Sequence, residues 1–129
     1  MSFGRMQHHY SDEFSNPPAL ILPVALLAPG GGGVTMRCRG KLDTAADLSV
    51  LPRACIGKLK LVAFNTLTIR QTGREEKSYL VEIVVEGRRY WVEAITHERP
   101  YALIGRDILN EVTLIADGPK ERFEIVHSR

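Results

Sequence analysis

The sequence predicts an all-β domain, a small barrel or sandwich, with one short helix near its C-terminal end. Three observations lead there. Val34, Met36, Cys38, Gly40 and Leu42 alternate with Thr35, Arg37, Arg39 and Lys41, the period of two that marks a strand with one buried and one wet face. Apolar runs of strand length recur at close intervals, each bounded by glycine, proline or a polar turn. Only Arg106 to Val112 reads as helical.

Taken in order, Met1 to Pro18 has no apolar periodicity and ends on Pro17-Pro18, so it reads as a flexible leader before a domain spanning residues 19–129. Ala19 to Leu27 is an aliphatic run short enough for a buried strand. Pro29 and the glycines Gly30 to Gly33 then turn the chain into the alternating strand Val34–Leu42, completing a hairpin that delivers it to Asp43. After Pro52, Leu59 to Ile69 is again strand-like. Gln71-Thr72-Gly73-Arg74 suits a hairpin tip, and Tyr79, Val81, Ile83 and Val85 alternate on the return. Glu86-Gly87 makes a second hairpin turn into Arg89–Ile95, where Tyr90, Val92 and Ala94 alternate with Trp91 and Glu93. Tyr101 to Ile104 is a short apolar strand stopped by Gly105. Thr113–Ala116 and Phe123–Val126, joined through Asp117-Gly118-Pro119, form the last hairpin.

Composition limits the function classes. A 129-residue chain with 44% hydrophobic and 25% charged residues suits one soluble globular domain. A net charge of +2, with no basic cluster interleaved with aromatics, argues against nucleic acid. The apolar stretch Ala19–Ala28 is about half the ~20 residues needed to span a bilayer, and Pro23 interrupts it. The preceding tail carries acids, unlike a signal peptide. Cys38 and Cys55 have no metal-ligand spacing and read as reduced thiols in a cytoplasmic protein. His8 and His9 adjoin in the tail, and His97 and His127 have no ligand set beside them, so neither a metal nor a cofactor is expected. Ser49 lacks an adjacent histidine or glycine elbow, which argues against a serine hydrolase.

The segment that carries chemistry is Lys41-Leu42-Asp43-Thr44-Ala45-Ala46-Asp47-Leu48-Ser49-Val50-Leu51. A strand runs straight into an acid, then small residues, then a second acid. Small residues after a carboxylate permit a tight turn whose backbone amides face it. Asp43 alone would equally serve as a helix N-cap. A second segment, Tyr101-Ala102-Leu103-Ile104-Gly105-Arg106-Asp107-Ile108-Leu109, lies downstream, and Asp107 in it reads as a helix-start residue.

Together, hydrophobic-Asp43-Thr44-Ala45-Ala46-Asp47 and, after a hairpin, Leu103-Ile104-Gly105-Arg106-Asp107-Ile108-Leu109 resemble the retropepsin-like aspartic proteases over roughly Ala19 to Val126. The resemblance implies a small closed acid-protease barrel with one short C-terminal helix, and an endopeptidase working as a homodimer on a peptide or protein substrate. Asp43 would be the catalytic aspartate and Thr44 would bond to its twin across the dimer axis. Ala45 and Ala46 would line the cleft floor. Asp47 would contact substrate and pair with Arg106. Ile104 would line a specificity pocket, Gly105 would permit close strand crossing, and the hairpin from about Thr68 to Ser78, with Gly73 near its tip, would be the flap.

Two carboxylates sharing one proton are needed, because like charges about 3 Å apart cannot both ionise. One such motif per chain therefore implies a twofold axis. The chain departs from the family at Ala45, where the family has glycine, and the methyl fits only if the backbone there is ordinary. The flap also lacks a glycine-rich tip. Two alternatives stay open on the sequence: a catalytically silent module of the same fold that dimerises or binds peptides, and an unrelated β-barrel in which Asp43 caps a turn.

Overall fold

The computed structural model describes residues 5–30 and 33–128. Met1 to Gly4 of the expected leader, Gly31 and Gly32 of the expected glycine turn, and Arg129 lie outside them. Among the described residues, ten strands and two short helices occur in the order β1 (His8–His9), β2 (Ile21–Leu27), β3 (Thr35–Leu42), β4 (Val50–Pro52), α1 (Ala54–Leu59), β5 (Ala63–Thr68), β6 (Glu75–Val85), β7 (Arg88–His97), β8 (Ala102–Ile104), α2 (Arg106–Leu109), β9 (Val112–Asp117) and β10 (Arg122–His127).

The larger sheet has the order β2-β3-β8-β4-β7-β6-β5, and β2 also pairs with β6 through Ala25, Leu26 and Leu27, closing six strands into a barrel. The reason lies in the alternation. Leu22, Val24 and Leu26 of β2, Val81, Ile83 and Val85 of β6, and Tyr90, Val92 and Ala94 of β7 all point inward and are buried. Each large aliphatic side chain so buried contributes about 1.5–3 kcal/mol. Leaving pairs exposed on any edge would forfeit both apolar burial and ladder hydrogen bonds, so closure is favoured. The Glu86-Gly87 turn forms as expected, with left-handed φ at both residues (52° and 79°), which matches the twist of a two-residue hairpin.

The helix expected after Gly105 is α2. A second helix, α1, was not foreseen: it carries Gly57 and ends on Lys60, which takes a left-handed φ of 53°. Leu59 and Leu61 therefore belong to this helix and its exit, and the strand begins only at Ala63.

The segment read as a flexible leader carries structure. His8 pairs with Phe123 and His9 with Arg122, so β1 joins β10 and β9 in a separate three-stranded sheet. The His8 ring stacks on Phe123 at 4.9 Å, and His8 Nε2 and His127 Nε2 each hydrogen-bond to one oxygen of Glu86, at 2.7 and 2.9 Å. Tyr90 bonds to His127 Nδ1, and burial pushes the Tyr90 hydroxyl pKa up. β1 and β10 are thereby both fixed to the β6–β7 turn. Among the described residues no helix is long and apolar enough to cross a membrane.

Candidate active site

Asp43 sits where β3 leaves the sheet. Leu42 pairs in parallel with Ile104 of β8, and the Asp43 amide donates to the Ile104 carbonyl at 2.9 Å, so the strand register fixes the position of the acid. The next bond is to the side chain. The Ala45 amide donates to Asp43 Oδ1 at 3.0 Å, and the Ala46 amide donates to the Asp43 carbonyl at 3.2 Å. This is the tight turn expected of small residues after an acid. Ala45 is not among the residues with left-handed φ, so its methyl fits an ordinary backbone. Asp43 is half-buried, and Thr44 and Ala45 are exposed.

The second segment clamps the loop. The Arg106 guanidinium donates through Nη1 to the Thr44 carbonyl at 2.8 Å and through Nη2 to Asp47 Oδ1, while the Arg106 amide donates to the Ala46 carbonyl at 2.9 Å. One residue thus holds three points of the acid loop. Gly105 lies so close beneath that a Cβ there would meet the Leu48 carbonyl carbon at 2.6 Å, the Leu48 oxygen at 2.7 Å and the Ala46 oxygen at 2.9 Å. Glycine is required by the approach of two backbones.

A cleft of about 430 Å³ separates this loop from the hairpin formed by β5 and β6. Its walls include Ala45, Ala46 and Asp47 on one side, Leu67, Thr68, Ile69, Arg70 and Gln71 on the other, with Val50 and Ile95 between. No group of three or more His, Cys, Asp and Glu among the described residues is arranged to hold a metal.

No protein-family model matches this sequence, and no curated protein matches it. Solved structures do match. A retropepsin-like aspartic protease from Rickettsia conorii superposes with a TM-score of 0.62 over 98% of this chain and 97% of that one, at 11% identity.

The fold is that of the retropepsin-like aspartic proteases.

EIAV protease, solved with the inhibitor HBY-793, superposes with a TM-score of 0.52 over 75% of this chain and 90% of that one, at 24% identity. The foamy viral protease-reverse transcriptase matches at 0.51 and 20% identity over 69% of this chain, which spans only 12% of that longer protein. At these identities the likeness establishes the fold and leaves the chemistry to the site itself.

Within the retropepsin-like fold, the acid-loop residues Asp43, Thr44, Ala45, Ala46 and Asp47 and their supports Gly105 and Arg106 come together. Two other expected residues, Ile104 and Gly73, lie outside the lining of the cleft, as Asp43 itself does. Ile104 is fully buried in the core, where its Cγ1 would lie 3.2 Å from a Cβ built on Gly40, so it packs inside the barrel and not along the cleft. Its neighbour Leu103 is half-buried and pairs with Val50, which does line the cleft. Gly73 has a left-handed φ of 68° and its amide donates to the Ile69 carbonyl at 2.7 Å; it shapes the flap turn without lining the cleft.

Sequence reasoning missed a buried tie. Ser49 is fully buried; its amide donates to Asp107 Oδ2 and its hydroxyl to Asp107 Oδ1, both at 2.8 Å, and Ser49 Oγ accepts from the Gly105 amide at 3.1 Å. Asp107 is therefore more than a helix-start acid: it joins α2 to the end of the acid loop. The signal was a serine between Leu48 and Val50, because a buried hydroxyl requires a partner. The apolar cleft wall of Val50, Leu67, Ile69 and Ile95 was also missed, since residues from three separate elements meet there.

Proposed function

We propose that this chain is one protomer of a homodimeric aspartic endopeptidase in which Asp43 from each copy forms the catalytic pair. The observation that carries the reading is the Asp43 carboxylate itself. It is oriented by the Ala45 amide and stands half-buried at the start of a loop pinned by Arg106, whose next residues Ala45, Ala46 and Asp47 line a cleft under a hairpin. A cap residue in an unrelated barrel would have no use for that setting.

In the proposed reaction the ionised Asp43 takes a proton from water as the water oxygen bonds to the scissile carbonyl carbon. The protonated Asp43 of the other copy donates to the carbonyl oxygen. Collapse of the resulting diol breaks the C–N bond, and the amine leaves with the proton. The two titrations belong to the pair and not to either residue. Thr44 of each copy would bond to its twin, and the flap would close over the peptide and exclude water. The outer edge of β9, unpaired among the described residues and carrying exposed Ile115, is a surface a second copy could extend. A cytoplasmic setting is part of the proposal and rests on the cysteine usage alone.

The test is digestion of a mixed peptide library between pH 4 and 7 by wild type and Asp43→Asn, with sedimentation to read the oligomeric state. Loss of cleavage by about 10²–10⁴-fold in the variant is expected for removal of the acid–base group. Cuts that persist in Asp43→Asn would refute the assignment. An inert wild-type dimer would leave the silent binding module as the function.

A further inference from the structure

The cleft has an uneven chemistry. Its floor is aliphatic, from Val50, Leu67, Ile69 and Ile95, and its rim holds one cation and one acid, Arg70 and Asp47. The two charges are not equivalent. Asp47 already accepts from the Arg106 guanidinium, which offsets its charge. Arg70 forms no salt bridge among the described residues, a state it shares with Arg37, Arg74, Arg88, Arg99 and Arg122, but of these six arginines Arg70 is the one that lines the cleft.

Arg70 is also held in place by its backbone. The flap turn is tied by the Ile69 amide donating to the Arg74 carbonyl at 2.8 Å, and Thr72 Oγ1 accepts from the Arg74 amide at 3.2 Å. The guanidinium therefore rides on a structured hairpin over the cleft. A free guanidinium presents a planar fork of donors matched to a carboxylate.

We infer that the cleft selects peptides in which a bulky apolar side chain sits on the aliphatic floor and a neighbouring Asp or Glu reaches Arg70. The inference rests on the reading of this cleft as the peptide-binding site, and it adds that Arg70 is a specificity-determining residue. A lysine at the same substrate position would face Arg70 and be disfavoured. Because Arg70 is exposed, its effect on selectivity is that of a screened ion pair, roughly two- to fivefold between Glu and Gln.

The test uses short fluorescein-labelled peptides with a central Leu-Phe pair and a single Glu, Gln or Lys moved through the flanking positions. Cleavage by wild type and by Arg70→Glu is compared as ratios of kcat/KM at pH 6, where a substrate Glu is ionised. Binding of the same peptides to Asp43→Asn is read by anisotropy. Expected are a position at which Glu exceeds Gln and Lys in both assays, inversion of that order in Arg70→Glu, and loss of the preference as the pH falls below about 4. Equal cleavage of Glu, Gln and Lys peptides would overturn the inference while leaving the peptidase reading intact. Binding with the Glu preference but no cleavage would overturn the peptidase reading and keep the inference. Neither cleavage nor a binding preference would overturn both.

Discussion

Replacing Gly105 by alanine isolates the contact that sets the acid loop. Gly105 has φ −90°, which alanine adopts freely, so the substitution adds no backbone strain and its effect is steric. The new methyl would stand 2.6 Å from the Leu48 carbonyl carbon, whereas ordinary contact begins at 3.4 Å, so that peptide must recede by about 0.8 Å. All three crowding atoms are backbone, with no flexible side chain to give way. Moving the Ala46 carbonyl also loosens its bond from the Arg106 amide. Overpacking costs about 1–3 kcal/mol, and this rigid case belongs at the top of the range. At roughly 3–5 °C per kcal/mol for a chain of this size, Gly105→Ala should melt about 10–15 °C below wild type. Calorimetry or circular dichroism reads the shift, and Asp43-dependent cleavage should fall even where the variant is folded. Gly118→Ala is the control, since a Cβ there meets nothing within 4 Å and needs no left-handed backbone. A Gly105→Ala protein that melts within about 2 °C of wild type and cleaves normally would refute the argument from close approach.

Other consequences are equally direct. Asp107→Ala leaves the buried Ser49 amide and hydroxyl without their acceptors and should cost about 2–4 kcal/mol; a double-mutant cycle with Ser49→Ala should return a coupling above about 1 kcal/mol by denaturant titration. Gly57→Ala, in α1 with open space around its Cβ position, should stabilise the fold by about 0.5–1 kcal/mol in the same assay. Burial, followed by the charge of Cys38, raises the Cys55 thiol from 9.0 to about 11, so the folded state favours the protonated form. That contribution is complete below pH 9 and is lost as the pH rises through 11, on the order of 2–3 kcal/mol, and the melting temperature of Cys55→Ala should lack this alkaline slope.

The sequence was legible where one residue's environment repeats with a fixed period. Val81, Ile83 and Val85 announced an inward face, and Glu86-Gly87 announced its turn, because strand and hairpin geometry are local. The acid turn was legible for the same reason: Asp43 and the Ala45 amide are two residues apart. Local pattern failed at α1, where six residues containing a glycine after Pro52 give too little period to tell helix from strand. The expected pocket role of Ile104 came from the resemblance, and β8, three residues long and buried at both its ends, offers no polar face against which to check it. His8 and His9 looked like tail residues since the segment around them shows no apolar periodicity; what orders them is Phe123 and Glu86. Glu82 contradicts its pattern most sharply, being 2% exposed on the outward side of β6, with Arg89 as its counter-ion.

The parallel pairing of β3 with β8 also dictates the order in which the molecule can assemble. The Asp43 amide acquires its acceptor from Ile104, and its loop is clamped by Arg106, so no shorter nascent chain can form the acid turn in its final setting. Closing the outer sheet waits longer still, until Phe123 is available to meet His8. Such long-range pairings place the domain among slow folders, on the scale of milliseconds to seconds, because the entropy of looping the chain is lost before the contacts form. While it waits, the β2–β3 hairpin presents open edges to other emerging chains. For a protein proposed to cut peptides, late completion has a benefit: a nascent chain that stops short of Arg106 carries the acid but not the geometry to use it.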